Sequence, residues 1–255
     1  MKLLTIARDL KRRRAREREG LFVVEGVRAV EEALASPLRI RGVLTAPQLD
    51  TAPRGAALHE AIRQQAESRD FGVTEVDEHE FRSAAETESP QGVIAIAQVP
   101  ERSFREFSLD GAMRILVLDG VQDPGNVGTI LRTAAALGAT ATVALPGTVD
   151  LWNAKVVRGA MGAHFRHYAF HTSLDALDAY LVAHSVTLWA TDTVGTPIDT
   201  LSAPDHLALI VGNEGGGVSS PLAQRATHTV ALPIQNVESL NVAVATGIFL
   251  YVLRP

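Results

Sequence analysis

The sequence predicts an α/β protein built from two domains. Three observations carry this. Short apolar strands alternate with helical stretches in two successive series, the pattern of sheets covered by helices. The runs "RILVL" and "LALIV" are apolar without alternation, as strands buried on both faces require. Between the series lies a polar stretch, "PERSFREFSLDGA" at 100–112, which reads as a linker. A chain of 255 residues is long enough for two modest domains.

The first series opens with a helical stretch at 1–19 and the strand "LFVVEG" at 21–26. A helix at 27–36 is ended by Pro37, which cannot continue it. A strand at 39–46 follows, then a loop carrying Pro47 and Pro53, and a helix near 55–69. "GVTEV" (72–76) is a strand, "DEHEFRSAA" a short helix, and "GVIAIAQV" (92–99) the last strand of the series. The second series starts with the strand "RILVLDG" at 114–120. Pro124 and Gly125 make a turn, Asn126 caps a helix that runs to Leu137, and Gly138 ends it. A strand at 141–145, a helical stretch around 153–161, an extended edge at 164–170 and a helix at 173–184 come next. Strands at 186–192 and 207–212, a short helix at 219–225, a strand at 227–232 and an apolar closing helix complete the chain. Pro233 removes a backbone donor and makes "ALPIQ" a loop. Ser239 is the expected cap of the closing helix, which leaves Asn241 without a capping role.

Composition excludes several classes. With no cysteine, neither a disulfide framework nor a thiolate metal site is possible. The N-terminus lacks the apolar core of a secretory signal. The last apolar run, Val242 to Leu253, is too short to span a bilayer. Together these point to a cytoplasmic protein. Net charge is −5, yet the first twenty residues carry eight basic side chains against three acidic ones. Such a patch on an acidic body fits a local polyanion contact or a solvated helix. Its candidates are Lys11, Arg12, Arg13, Arg14, Arg16 and Arg18.

Three loops of the second series follow strands, where open α/β sheets place ligands. "LDGVQDPGNVGTILRTAAALG" (118–138) brings Asn126 and Arg132. "LIVGNEGGGVSS" (209–220) brings Gly212, Glu214 and three further glycines. A phosphate loop is a poor match, because no Lys-Ser/Thr follows the glycines and Glu214 would repel phosphate. "LPIQNVESLN" (232–241) brings an apolar wall of Leu232, Ile234 and Leu240, with Ser239 and Asn241 beside it. The spacing of "LDGVQDPGNVG" is wrong for a dinucleotide-binding G-x-G-x-x-G.

Taken in order, "NVGTILRTA", "LIVGNEGGGVS" and "LPIQNVESLNVAVATGI" resemble the three motifs of the SpoU (TrmH-type) family of RNA ribose 2′-O-methyltransferases, within the SPOUT superfamily. The likeness covers roughly 113–255. More weakly, "FVVEGVRAVEEAL", the strand at 39–46 and "PQGVIAIAQV" resemble an L30e-like RNA-binding module over 1–100, with 101–112 as linker. The resemblance implies a C-terminal trefoil knot that binds S-adenosylmethionine through Gly212, Leu232, Ile234 and Leu240. It implies catalytic roles for Asn126, Arg132, Glu214, Ser239 and Asn241, and a homodimer with the site near its interface. "KVVRGAMGAHFR" (155–166) resembles a further family segment, with Ala160 where Ser is common. The expected substrate is structured RNA, ribosomal ahead of transfer RNA, methylated without a metal. Arg132 is the family's proposed base. A guanidinium stays protonated in proteins. Either an unusual site depresses it, or Arg132 clamps a phosphate while phosphate or water takes the proton. A knotted methyltransferase acting on a base, and a non-catalytic RNA-binding protein, are the competing readings.

Overall fold

The computed structural model describes residues 3–106 and 111–254. Lys2 and residues 107–110 of the expected linker lie outside them. The chain forms two compact units.

The first unit begins with α1 (Leu3–Asp9) and α2 (Arg13–Glu19), so the expected single helix is broken at 10–12. Then come β1 (Leu21–Glu25), α3 (Val27–Leu34), β2 (Ile40–Thr45), α4 (Pro53–Arg69), β3 (Gly72–Glu75), α5 (Glu78–Ala84) and β4 (Val93–Gln98). The sheet order is β1-β4-β2-β3; β4 runs antiparallel to both of its neighbours, and β2 and β3 are parallel.

The break between α1 and α2 is held by two residues expected to contact RNA. Arg16 is buried, and its Nη1 donates to the carbonyls of Leu10 (2.8 Å) and Lys11 (2.9 Å). It serves the end of α1 and is not an open RNA contact. Lys11 donates from Nζ to the carbonyls of Ser83 (2.9 Å) and Ala85 (2.7 Å), satisfying the C-terminal end of α5. Arg12, Arg13, Arg14 and Arg18 remain exposed. Arg12 pairs with Asp9, Arg13 with Glu17 at 2.7 Å, and Arg18 with Glu19 at 2.8 Å. Exposed pairs of this kind contribute about 0–1 kcal/mol.

The second unit runs from β5 (Met113–Asp119) through α6 (Pro124–Ala136) to β6 (Ala141–Ala144). The chain then contributes 152–166, with α7 (Ala154–Gly159) and α8 (Ala163–Arg166), to the first unit. Sequence order had placed this segment in the second domain. The physical reason is aromatic: Trp152 lies 4.4 Å from the ring of Phe22, and Phe165 6.4 Å from it, with Phe22 wholly buried. Burying a Phe side chain stabilises by about 1.5–3 kcal/mol.

The second unit resumes with β7 (Ala169–His171), α9 (Leu174–Ala183), β8 (Thr187–Pro197), β9 (His206–Gly212), α10 (Ser220–Ala223), β10 (His228–Ala231) and α11 (Val242–Leu253). Its six strands are all parallel, in the order β10-β8-β9-β5-β6-β7. Ile115, Val117, Ala208 and Ile210 point into one core with Leu177 and Tyr180 of α9. Their neighbours Leu116, Leu118, Leu209 and Val211 are equally buried, which explains the unbroken apolar runs. α11 packs on α6 and β9.

Candidate active site

The first strand of the parallel sheet, β5, is flanked by β6 on one side and β9 on the other. Chain order reverses there, and open α/β sheets bind ligands at such a point beyond the carboxyl ends of the strands. The loops after β5 and β9 are stitched together. Asn213 donates to Gly120 O at 2.8 Å, and Asp119 accepts from the backbone of Ser219 at 2.7 Å. The Gly-rich loop closes through a backbone bridge between Asn213 and Gly217. Gly212 is demanded by this turn: a Cβ there would fall 2.0 Å from the carbonyl carbon of Gly217.

Both expected caps move. α6 begins at Pro124, and its cap is Asp123, whose carboxylate accepts from Asn126 N at 2.8 Å. Asn126 therefore sits inside the first turn with its side chain released from capping. α11 is capped by Asn241, not Ser239. The Asn241 Oδ1 accepts from Ala243 N (2.9 Å) and Val244 N (3.3 Å).

That cap orients a polar chain through all three loops. With Oδ1 of Asn241 bound to the helix, its Nδ2 donates to Asn126 Oδ1 at 2.9 Å. Asn126 Nδ2 then donates to Glu214 at 3.0 Å. Glu214 also accepts from the backbone of Gln122 (3.4 Å) and Asp123 (3.3 Å). The carboxylate and the helix N-terminus anchor the two ends, so each amide between them has one orientation.

Partial burial pushes the Glu214 carboxyl up, but the donors from Asn126 and the backbone outweigh it, and its pKa is lowered. A lowered carboxyl stabilises the fold above its unfolded value and loses that contribution as pH falls through the folded value. Asn126→Ala removes the side-chain donor. The variant is expected to be less stable at neutral pH and to lose less stability below about pH 4.3, the ordinary glutamate value. Urea denaturation at several pH values checks this, and an unchanged slope of stability against pH would free Glu214 from Asn126.

Beside this chain lies a cleft of about 640 Å³. Gly212, Leu232, Ile234 and Leu240, expected at a cofactor, all line it, and so do Glu214, Ser239 and Asn241. Arg132 does not line it. It is exposed on α6, while Glu214 and Asn241 both hydrogen-bond Asn126. Glu238, at the start of "ESLN", also lines it, whereas sequence reasoning missed Thr191, Asp192, Thr193 and Phe249. For the first three, the available signal was their place at the carboxyl end of a parallel strand's buried stretch. Ala160, at the position where the family often has Ser, is wholly buried, so no hydroxyl is offered there.

Comparison with known proteins agrees with this geometry. Residues 113–251 match the model of the SpoU rRNA Methylase family, and residues 5–95 match an MRM3-like substrate binding domain. The 23S rRNA (guanosine(2553)-2′-O)-methyltransferase RlmP of Bacillus subtilis is 35% identical over 97% of this chain and 94% of its own length. The 23S rRNA (guanosine-2′-O-)-methyltransferase RlmB of Bordetella pertussis is 34% identical over 74% of this chain and 80% of its own. Among solved structures, the AdoMet-bound rRNA methyltransferase of Sinorhizobium meliloti aligns with a TM-score of 0.87 at 27% identity, covering 98% of this chain and 93% of that one. On its motifs, its sheet and its relatives, the chain belongs to the SpoU rRNA methylase family.

Proposed function

We propose that the protein transfers a methyl group from S-adenosylmethionine to a ribose 2′-hydroxyl of 23S-type ribosomal RNA. The observation that carries this is the Glu214–Asn126–Asn241 chain, which joins the three family motifs at the mouth of one cleft. The cleft fits the cofactor. Leu232, Ile234, Leu240 and Phe249 offer apolar surface to a flat base, and Asp192, Glu214 and Glu238 bring carboxylates toward a cation. When bound, the cofactor supplies a methyl group on a sulfonium, already a good leaving group. The protein's part is alignment and the fate of one proton. Asn126 ties the motifs together, Ser239 lies exposed on the wall to meet substrate, and Arg132 clamps the phosphate beside the reacting ribose. Of the N-terminal arm, Arg12, Arg13, Arg14 and Arg18 add RNA affinity that falls with salt.

The C-terminal segment supports a knot. β10 pairs with β8 at the sheet edge, residues 232–240 share the cleft with the ends of β8 and β9, and α11 returns to α6. A homodimer is supported by the outer face of α11, where Val244, Ile248, Tyr251 and Val252 stay exposed. These positions repeat at helical spacing, as a helix–helix seam does. Ile248→Glu is expected to turn a dimer into a monomer in sedimentation velocity; a parent chain that is itself monomeric removes this reading. Among the described residues no helix is long and apolar enough to cross a membrane, and we read the site of action as the cytoplasm.

The deciding experiment maps 2′-O-methyl nucleotides in total RNA with and without the protein. A protein-dependent 2′-O-methyl in 23S rRNA supports the reading. A methylated base, a site in transfer RNA, or no change overturns it.

A further inference from the structure

The first unit holds a cavity of its own, about 280 Å³, where β1 runs into α3 and the segment 152–166 closes over it. Its walls combine features that ordinary packing does not need. Arg158, in α7, has a buried Nη1 with no hydrogen-bond partner. Buried charged donors are rarely left so. Glu25 is buried opposite, held by the backbone of Glu86 (2.8 Å) and Thr87 (3.3 Å) and by the Thr87 hydroxyl. A carboxylate has about four acceptor positions, so one remains open. Gln91 Oε1 accepts from Val27 N at 2.9 Å, which leaves its Nε2 as a donor. Met161 lines the cavity with φ at 51°, a left-handed conformation uncommon outside glycine, and is 42% exposed.

A fixed acceptor beside two fixed donors selects a ligand with both kinds of group on one edge. Phosphate alone is a poor match, because Glu25 would repel it. The Met161 thioether and Ala29 ask for a flat apolar face. A nucleobase has such an edge and such a face, and RNA-binding modules read splayed bases in this way. The volume lies just below the ~300 Å³ at which drug-sized pockets begin, which suits a single base. Arg28 is exposed at the cavity and suits the attached phosphate.

We propose that this cavity receives one unstacked base of the RNA substrate, with Arg158, Gln91 and Glu25 reading its edge and Arg28 holding its phosphate. The proposal rests on RNA being the substrate. It gives the segment 152–166 a role in reading RNA.

The test uses the full chain and overlapping fluorescein-labelled 23S rRNA transcripts. Arg158→Met keeps the side-chain length and removes the donors. Met161→Glu puts a charge at an exposed position. Each is expected to weaken transcript binding about tenfold, with S-adenosylmethionine binding by calorimetry unchanged. A transcript carrying 6-thioguanosine or 4-thiouridine is expected to crosslink within 158–161. Parent-like RNA affinity in both variants, with crosslinks elsewhere, overturns the base pocket and leaves the methyltransferase reading standing. A parent chain that binds S-adenosylmethionine but neither binds nor methylates the transcripts overturns both.

Discussion

Arg132→Lys is expected to lose methyl transfer by on the order of 10²-fold, while S-adenosylmethionine binds as it does to the parent chain. Two facts set this expectation. Arg132 is exposed on α6 and does not line the cleft, so cofactor affinity has no cause to change. A lysine keeps the charge but loses the planar fork that grips phosphate through two bonds. Misplacing a reacting group by about 1 Å can alone cost 10²-fold. Single-turnover transfer and calorimetric cofactor binding separate the two effects. Near-parent turnover in the lysine variant would remove Arg132 from the reaction.

The second large effect is on stability. Arg114, at the start of β5, is buried with carbonyls around it. Its Nη1 donates to Met113 O (3.0 Å), Pro204 O (2.9 Å) and Asp205 O (2.7 Å), and its Nε to Leu253 O (2.5 Å). Burial lowers its pKa and Asp205 opposes the shift, yet a guanidinium remains charged at neutral pH. The contact with Leu253 places a cation at the C-terminus of α11, where the helix dipole favours one. Arg114→Met keeps most of the volume but strands buried acceptors, each costing about 1–3 kcal/mol. A loss of about 3 kcal/mol is expected in urea denaturation. Cofactor affinity should fall with it, because α11 carries Asn241. A variant as stable as the parent would show that these carbonyls find other donors.

The sheet and much of the site were legible in the sequence, for different reasons. Unbroken apolar runs announce strands covered on both faces, and "RILVL" and "LALIV" are β5 and β9. Gly212, Leu232, Ile234 and Leu240 were found because they follow strands and stand in recognisable motifs. The caps were misread although a signal was present. Pro124 fits the first helical position, which makes Asp123 the cap. Asn241 directly precedes the apolar run, where a cap belongs. Arg16 was not legible: its partners are backbone carbonyls, which leave no trace in residue identity. Nor was the placement of 152–166, since the partner of Trp152 lies in β1, far away in sequence.

That last feature bears on modularity. The protein is two bodies in space but four stretches along the chain. A gene fragment starting at residue 102 would carry Trp152 and Phe165 without Phe22, and the complementary fragment would leave Phe22 without its lid. Neither piece is a free-standing cassette. Exchange of residues 1–101 between relatives must keep these aromatic surfaces matched, so 1–101 and 152–166 are expected to drift as a pair.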